Sequence, residues 1–149
     1  MQGKHLTDVP TDVQVYSSQV KPISVKFVGV VYDKVRLKQL CGDVANPYVN
    51  AETSHKFYVK VSGPKFCDQA GKTIVIRKAL YGLSASGADW YRHFSSTLRS
   101  IIFIPTIFDR DVWIKLAEYG DHYEYICTYV EDFLIASKNP DVIMKFTKK

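Results

Sequence analysis

Apolar residues recur along this chain with two different periods. Between Ser86 and Ile102, the side chains of Trp90, Tyr91, Phe94, Leu98 and Ile101 share one face of a 3.6-residue repeat, which predicts an amphipathic helix. Further upstream, "PISVKFVGVVYDKVRLK" opens on Pro22, a residue suited to the first turn of a helix. Its β-branched content favours a strand, but Ile23, Phe27, Val31 and Val35 recur every four residues, and that spacing predicts a helix. Elsewhere the runs are short. "KQLCGDV" is a strand closing on Gly42 and Asp43, and "HKFYVKV" and "KTIVIRKAL" are two more, separated by the turn-rich "SGPKFCDQAG". "DVWIKLAEYGDHYEYICTYVEDFLIAS" reads as strand, turn around Gly120, strand, tight turn, strand. The first 20 residues are polar and predict an extended lead-in. Strands and helices mix without a βαβ rhythm, so the predicted class is α+β, a mostly antiparallel sheet with helices packed on one face.

Composition narrows the setting. The chain has 149 residues, the size of one domain, and 46% of them are hydrophobic, as in ordinary globular proteins. Twenty basic against 15 acidic residues leave a net charge of +5, which suits a polyanionic partner. No apolar run approaches the roughly 20 residues that span a bilayer, and the N-terminus is too polar for a signal peptide, so no membrane is expected. Cys41, Cys67 and Cys127 are odd in number and widely spaced, which predicts reduced thiols in an intracellular protein. The four histidines show no zinc-ligand spacing.

The chemistry concentrates at "YICTYVEDFLIAS", where Glu131 and Asp132 interrupt two apolar runs of strand length. On a straight strand these neighbours point to opposite faces, so they can serve one site only if the chain turns at them. A hairpin with "VED" at its tip has that turn. Two readings stand side by side: a solvated polar tip, or part of an oxygen-rich site. A second strand, "QLCGDV", also runs from apolar residues into a carboxylate, Asp43. Carboxylates gathered on neighbouring strands suit hard cations such as Mg²⁺, and two such ions about 4 Å apart can serve phosphoryl transfer.

These segments carry a family resemblance. "YVED" resembles the Y-x-D-D box of reverse transcriptases, and "KALYGLSASGADWYRHF" resembles the K-A-L-Y-G-L…W segment of copia-type long-terminal-repeat retrotransposons. "GDVANPYVNA" is similar to that family's first catalytic-aspartate segment, and "GKHLTD", "VYSSQV", "DRDVWIK" and "GDHYEY" follow its order. The resemblance runs over nearly the whole chain. It implies a partial reverse transcriptase domain over 1–149, with a fingers-side lead-in and helix to about residue 40 and a palm from about residue 41. It implies catalytic roles for Asp43, Glu131 and Asp132, and two Mg²⁺ or Mn²⁺ ions held by those three carboxylates and the carbonyl of Val44. Tyr48 falls where relatives carry an aromatic gate against ribonucleotides, and Tyr81 and Gly82 where the chain packs on incoming nucleotide and template base. Each also has a plainer reading, Tyr48 as a core tyrosine and Gly82 as a strand-to-helix turn. Trp90, Phe94 and Leu98 are expected in the core.

The implied reaction is template-directed transfer of a deoxynucleoside monophosphate to a primer 3′-OH on an RNA or DNA template. The implied setting is a Gag-Pol polyprotein in a cytoplasmic virus-like particle or the nucleus. Three features depart from the pattern. Glu131 replaces an aspartate, Pro47 removes an amide donor just before Tyr48, and Ser84 and Asp89 stand where relatives commonly carry basic residues. The family's basic fingers segment, thumb, RNase H, integrase and protease fall outside these 149 residues. The expectation is a fragment or decayed copy, impaired in catalysis, with a non-catalytic relic or retained binding module as the alternative.

Overall fold

The computed structural model describes residues 19–62, 68, 70–118 and 120–147; the lead-in expected over the first 20 residues lies outside these but for Gln19 and Val20, as does Cys67. In chain order the elements are α1 (Pro22–Val35), β1 (Lys38–Asp43), α2 (Pro47–Asn50), β2 (Glu52–Lys60), β3 (Thr73–Lys78) and α3 (Ser86–Ser100). Then follow β4 (Ile104–Pro105), β5 (Val112–Leu116), β6 (Tyr123–Tyr129), β7 (Asp132–Ser137) and α4 (Pro140–Thr147). Five strands form an antiparallel sheet in the order β1-β7-β6-β5-β4, and β2 and β3 pair separately as a two-stranded sheet. The α+β class and the antiparallel pairing agree with the sequence pattern.

Alternation along the strands sorts the large sheet into two apolar faces. Leu40, Ile135, Ile126 and Trp113 stand in register on one face. That face packs with Trp90, Phe94 and Leu98 of α3 and Ile143 of α4. Cys127, Ala136 and Val112 occupy the opposite face and bury Val28 of α1 with Leu37. Helices therefore cover both faces, not the one face predicted. The reason is visible in the centre of the sheet: β6 and β7 carry apolar residues on successive positions, Ile126 and Cys127, Ile135 and Ala136, and strands apolar on both sides need cover on both.

The helix that makes the second layer forms where predicted, yet the four-residue stripe that predicts it is not the stripe it buries. Ile23 and Phe27 are 70% and 62% exposed, whereas Val28 is fully buried and Val25 and Tyr32 pack beside it. Asp109 fixes the start of α1. One of its carboxylate oxygens accepts from the Lys21 amide (2.9 Å) and the Ser24 hydroxyl (2.6 Å), the other from the Asp111 amide (3.1 Å). Burial pushes the Asp109 carboxyl up, but these donors outweigh it and hold it below the usual carboxylate value.

Three short elements lie outside the pattern-based reading: α2, β4 and α4. The last has local start and stop signals, Pro140 at its first turn, Asp141 beside it and Lys145 in its last turn. The amide of Asn139, just ahead of it, is held by the Ser137 hydroxyl (3.0 Å). Gly42 shows why β1 carries no side chain just before its carboxylate. A Cβ there would clash with the edge of the Phe133 ring and lie 2.8 Å from the Met144 methyl.

Candidate active site

β1 ends where β7 begins, and their register sets Asp43 directly opposite Asp132. The Val44 amide donates to the Glu131 carbonyl (3.1 Å), continuing the ladder by one bond. That bond makes 44 and 131 a hydrogen-bonded pair, so 43 and 132 form the closer, non-bonded kind, with Cβ atoms about 4.5–5.5 Å apart. Tyr129 of β6 stands opposite Asp132 on its other side, completing a row across three strands. Two like charges directly opposite destabilise a sheet unless a counter-ion sits between them. Among the described residues neither aspartate forms an ion pair.

The turn between β6 and β7 is two residues long, Val130 and Glu131. Val130 has φ of 56°, a left-handed conformation that a β-branched residue rarely adopts and that glycine or asparagine usually supplies in such a turn. Its carbonyl is held by the indole Nε1 of Trp90 at 2.7 Å. Trp90 is 2% exposed and stacks on Phe94 with ring centroids 5.2 Å apart, so the donor is fixed by the core. Trp90, Phe94 and Leu98 are the buried residues expected, and Trp90 has this further role that apolar periodicity does not reveal.

Tyr48 on α2 is half-buried and meets Tyr81 edge to face, centroids 4.5 Å apart. Burial first, then the Glu131 carboxylate, then Tyr81, raise the Tyr48 hydroxyl above its ordinary pKa. Pro47 opens α2 at its first turn, where an amide would have no intrahelical acceptor, so the donor it lacks is not needed there. The segment carrying Tyr81 and Gly82 is clasped by Ser86, whose hydroxyl donates to the Leu80 carbonyl (2.6 Å) and accepts from the Leu80 amide (3.0 Å). Gly82 has φ of 90°, open to glycine and costly for other residues, and Tyr81 is 60% exposed.

The site thus brings Asp43 and Asp132 into one cross-strand pair, with Val44 and Glu131 bonded beside them. It does not gather all three carboxylates at one point. Among the described residues no three His, Cys, Asp or Glu side chains converge closely enough to hold an ion. The aspartate pair fits one divalent cation by chemistry and by its uncompensated charge, while the full set expected for two ions does not close. Of the other departures, Asp89 is buried and bonded to Arg92 within α3 (3.0 Å), and among the described residues its second oxygen and the Ser84 hydroxyl have no partner. Ser86 and the positive φ of Val130 escaped the sequence, because neither a clasp across six residues nor a backbone angle leaves an apolar period.

Fold and site together define an α+β protein that sets the aspartate ending one strand opposite the aspartate beginning another, next to a tight hairpin turn. The family model described as reverse transcriptase (RNA-dependent DNA polymerase) matches residues 3–149, and the chain belongs to that family, as a partial domain of the copia type. It is similar to the Retrovirus-related Pol polyprotein from transposon RE1 of Arabidopsis thaliana, 28% identical over 87% of this chain and 9% of that protein. The Retrovirus-related Pol polyprotein from transposon TNT 1-94 of Nicotiana tabacum is 25% identical over 89% of this chain and 10% of its own length. The Transposon Ty1-DR4 Gag-Pol polyprotein of Saccharomyces cerevisiae is 28% identical over 65% and 6%. The chain therefore spans about a tenth or less of the curated relatives it matches. No solved structure matches it.

Proposed function

We propose that this chain is the part of a copia-type reverse transcriptase that carries the catalytic carboxylates, a palm segment with a fingers-side helix ahead of it. It would add deoxynucleoside monophosphates to a primer 3′-OH on an RNA or DNA template, as part of a Gag-Pol polyprotein. The observation that carries this reading is the Asp43–Asp132 pair, drawn from strands distant in sequence and set opposite each other, neither of them in an ion pair among the described residues. Asp43 and Asp132 would hold Mg²⁺ or Mn²⁺, with Glu131 and the Val44 carbonyl nearest to complete its shell. A bound divalent ion supplies a lowered pKa for the 3′-OH and stabilises the oxygens of departing pyrophosphate. Tyr48 would lie under the sugar C2′ and exclude a ribose hydroxyl, while Tyr81 and the side-chain-free Gly82 would pack on nucleotide and template base.

One observation favours a weak or non-catalytic form of this segment. The three carboxylates do not converge, and Glu131 adds a methylene in a site where about 1 Å of misplacement costs on the order of a hundredfold. A retrotransposon relic, or a segment kept for binding, has the same fold without turnover. Grafting residues 3–149 into an active copia-type relative in place of its own segment, then assaying primer extension, separates the two. Glu131→Asp should raise extension in the chimera, Asp43→Asn and Asp132→Asn should abolish it, and the 149-residue chain alone should extend nothing measurable. Extension that survives Asp43→Asn would remove the carboxylate pair from the mechanism. Template-directed incorporation by the isolated chain would overturn the impairment.

A further inference from the structure

Between α3 and the loop that joins β4 to β5 lies a pocket of about 630 Å³. Arg92 and Arg99, seven residues apart on one face of α3, line it from the helix, and Arg110 lines it from the loop. Tyr91, Ser95 and Ser96 add hydroxyls to the wall, and no carboxylate lines it. Asp89 takes one guanidinium nitrogen of Arg92 (3.0 Å). Arg110 follows Asp109 and precedes Asp111, but both are buried and bonded elsewhere. Asp109 accepts from Ser24 at the start of α1, and Asp111 accepts from the Thr128 hydroxyl (3.4 Å). Among the described residues Arg99 and Arg110 are in no ion pair. Arg99 lies over the ring of the buried Trp113, 5.4 Å from its centroid, so this guanidinium rests on a fixed surface.

A guanidinium fork meets phosphate oxygens two at a time, which is why arginine is favoured where that fit matters. A phosphate monoester carries about −1.5 to −2 of charge and three free oxygens, enough to engage three arginines gathered around one cavity. A nucleic-acid strand instead spreads single charges along its length, two free oxygens to each phosphate. The loop adds a second feature. Ile107 and Phe108, just ahead of Arg110, are 96% and 91% exposed. Isoleucine has no π-face for a base. Apolar side chains presented beside an arginine pocket fit a modified residue with apolar neighbours in a protein chain.

We propose that this pocket binds a phosphorylated side chain of a partner protein, with Arg92, Arg99 and Arg110 on the phosphate and Ile107 and Phe108 against apolar residues beside it. None of the residues assigned to the aspartate site lines the pocket, so the inference stands apart from the proposed polymerase function.

The test is fluorescence anisotropy of a labelled peptide with one phosphoserine between leucines, titrated with the 149-residue chain. The unphosphorylated peptide should bind roughly tenfold more weakly or worse, since it lacks the charged contacts. Arg99→Gln and Arg110→Gln should each weaken the phosphopeptide about 10- to 150-fold, the range for a lost hydrogen bond to a charged group. Arg92 is left in place, because removing it would strand the buried Asp89. Ile107→Ser with Phe108→Ser should weaken the phosphopeptide and leave competition by inorganic phosphate unchanged. Full peptide affinity in that variant would reduce the pocket to a site for free phosphate and overturn the protein partner. Lys26→Gln with Lys34→Gln, exposed on α1, should bind like the parent. All substituted side chains are exposed, and thermal melting confirms that the variants fold. Arginine variants that bind like the parent, or equal affinity for the two peptides, would overturn the proposal. So would displacement of the phosphopeptide by oligothymidylate at equal phosphate concentration, which would assign the pocket to nucleic acid.

Discussion

At the scale of single residues, the turn at Val130 and Glu131 concentrates the tension in the site. A β-branched residue sits at positive φ, where strain of about 1–3 kcal/mol is typical, and a core tryptophan holds its carbonyl from below. Trp90→Phe keeps an aromatic ring against Phe94 but removes the indole donor, leaving a half-buried carbonyl without its partner. Loss of stability of about 1–3 kcal/mol is expected, read as a lower urea midpoint at unchanged slope. A midpoint within error of the parent would show that the turn is held by its ladder bonds alone.

At the scale of elements, α1 depends on a carboxylate far away in sequence. Asp109 meets the Lys21 amide and Ser24 hydroxyl at the helix start, where unpaired amides and the helix dipole both favour an anion. Its folded pKa lies below the ordinary value of 3.8. A depressed folded pKa gives stability that is present above the unfolded pKa and lost as pH falls through the folded one. Acid should therefore weaken the fold progressively below about pH 4. Asp109→Asn keeps one acceptor but no charge. It should cost about 1–3 kcal/mol at pH 7 and flatten that acid limb, as measured by urea unfolding at a series of pH values. An unchanged acid limb in the variant would assign it to other carboxylates.

At the scale of the whole molecule, the aspartate pair exists only because the end of β1 and the start of β7, nearly 90 positions apart at Asp43 and Asp132, lie side by side. Mn²⁺ affinity should therefore belong to the folded chain. Asp43→Asn and Asp132→Asn should each weaken Mn²⁺ binding by tenfold or more in isothermal titration, and Glu131→Gln by less than either, since it does not converge with them. Equal losses in all three variants would show that Glu131 closes on the ion once it binds. The +5 charge favours a polyanionic partner.

Local patterns determined a large part of this protein. The helical period from Trp90 to Leu98, the alternating runs around Gly120, and the apolar runs ending on Asp43 and Asp132 were enough for the α+β class and antiparallel strands. The motifs around them were enough for the family, because those signals live in neighbouring residues. Packing decided the rest. That α1 buries Val28 and leaves Ile23 and Phe27 exposed depends on which side of the helix meets Cys127 and Ala136, and a four-residue stripe has no knowledge of its partner. That helices cover both faces follows from strands apolar on successive positions, which a short run does not distinguish from a buried helix segment. The Trp90 bond to Val130, the Ser86 clasp on Leu80 and the facing of Asp43 by Asp132 join residues from 6 to 89 positions apart. Such contacts are set by the register of strands and the seating of helices, and only the tertiary structure fixes those.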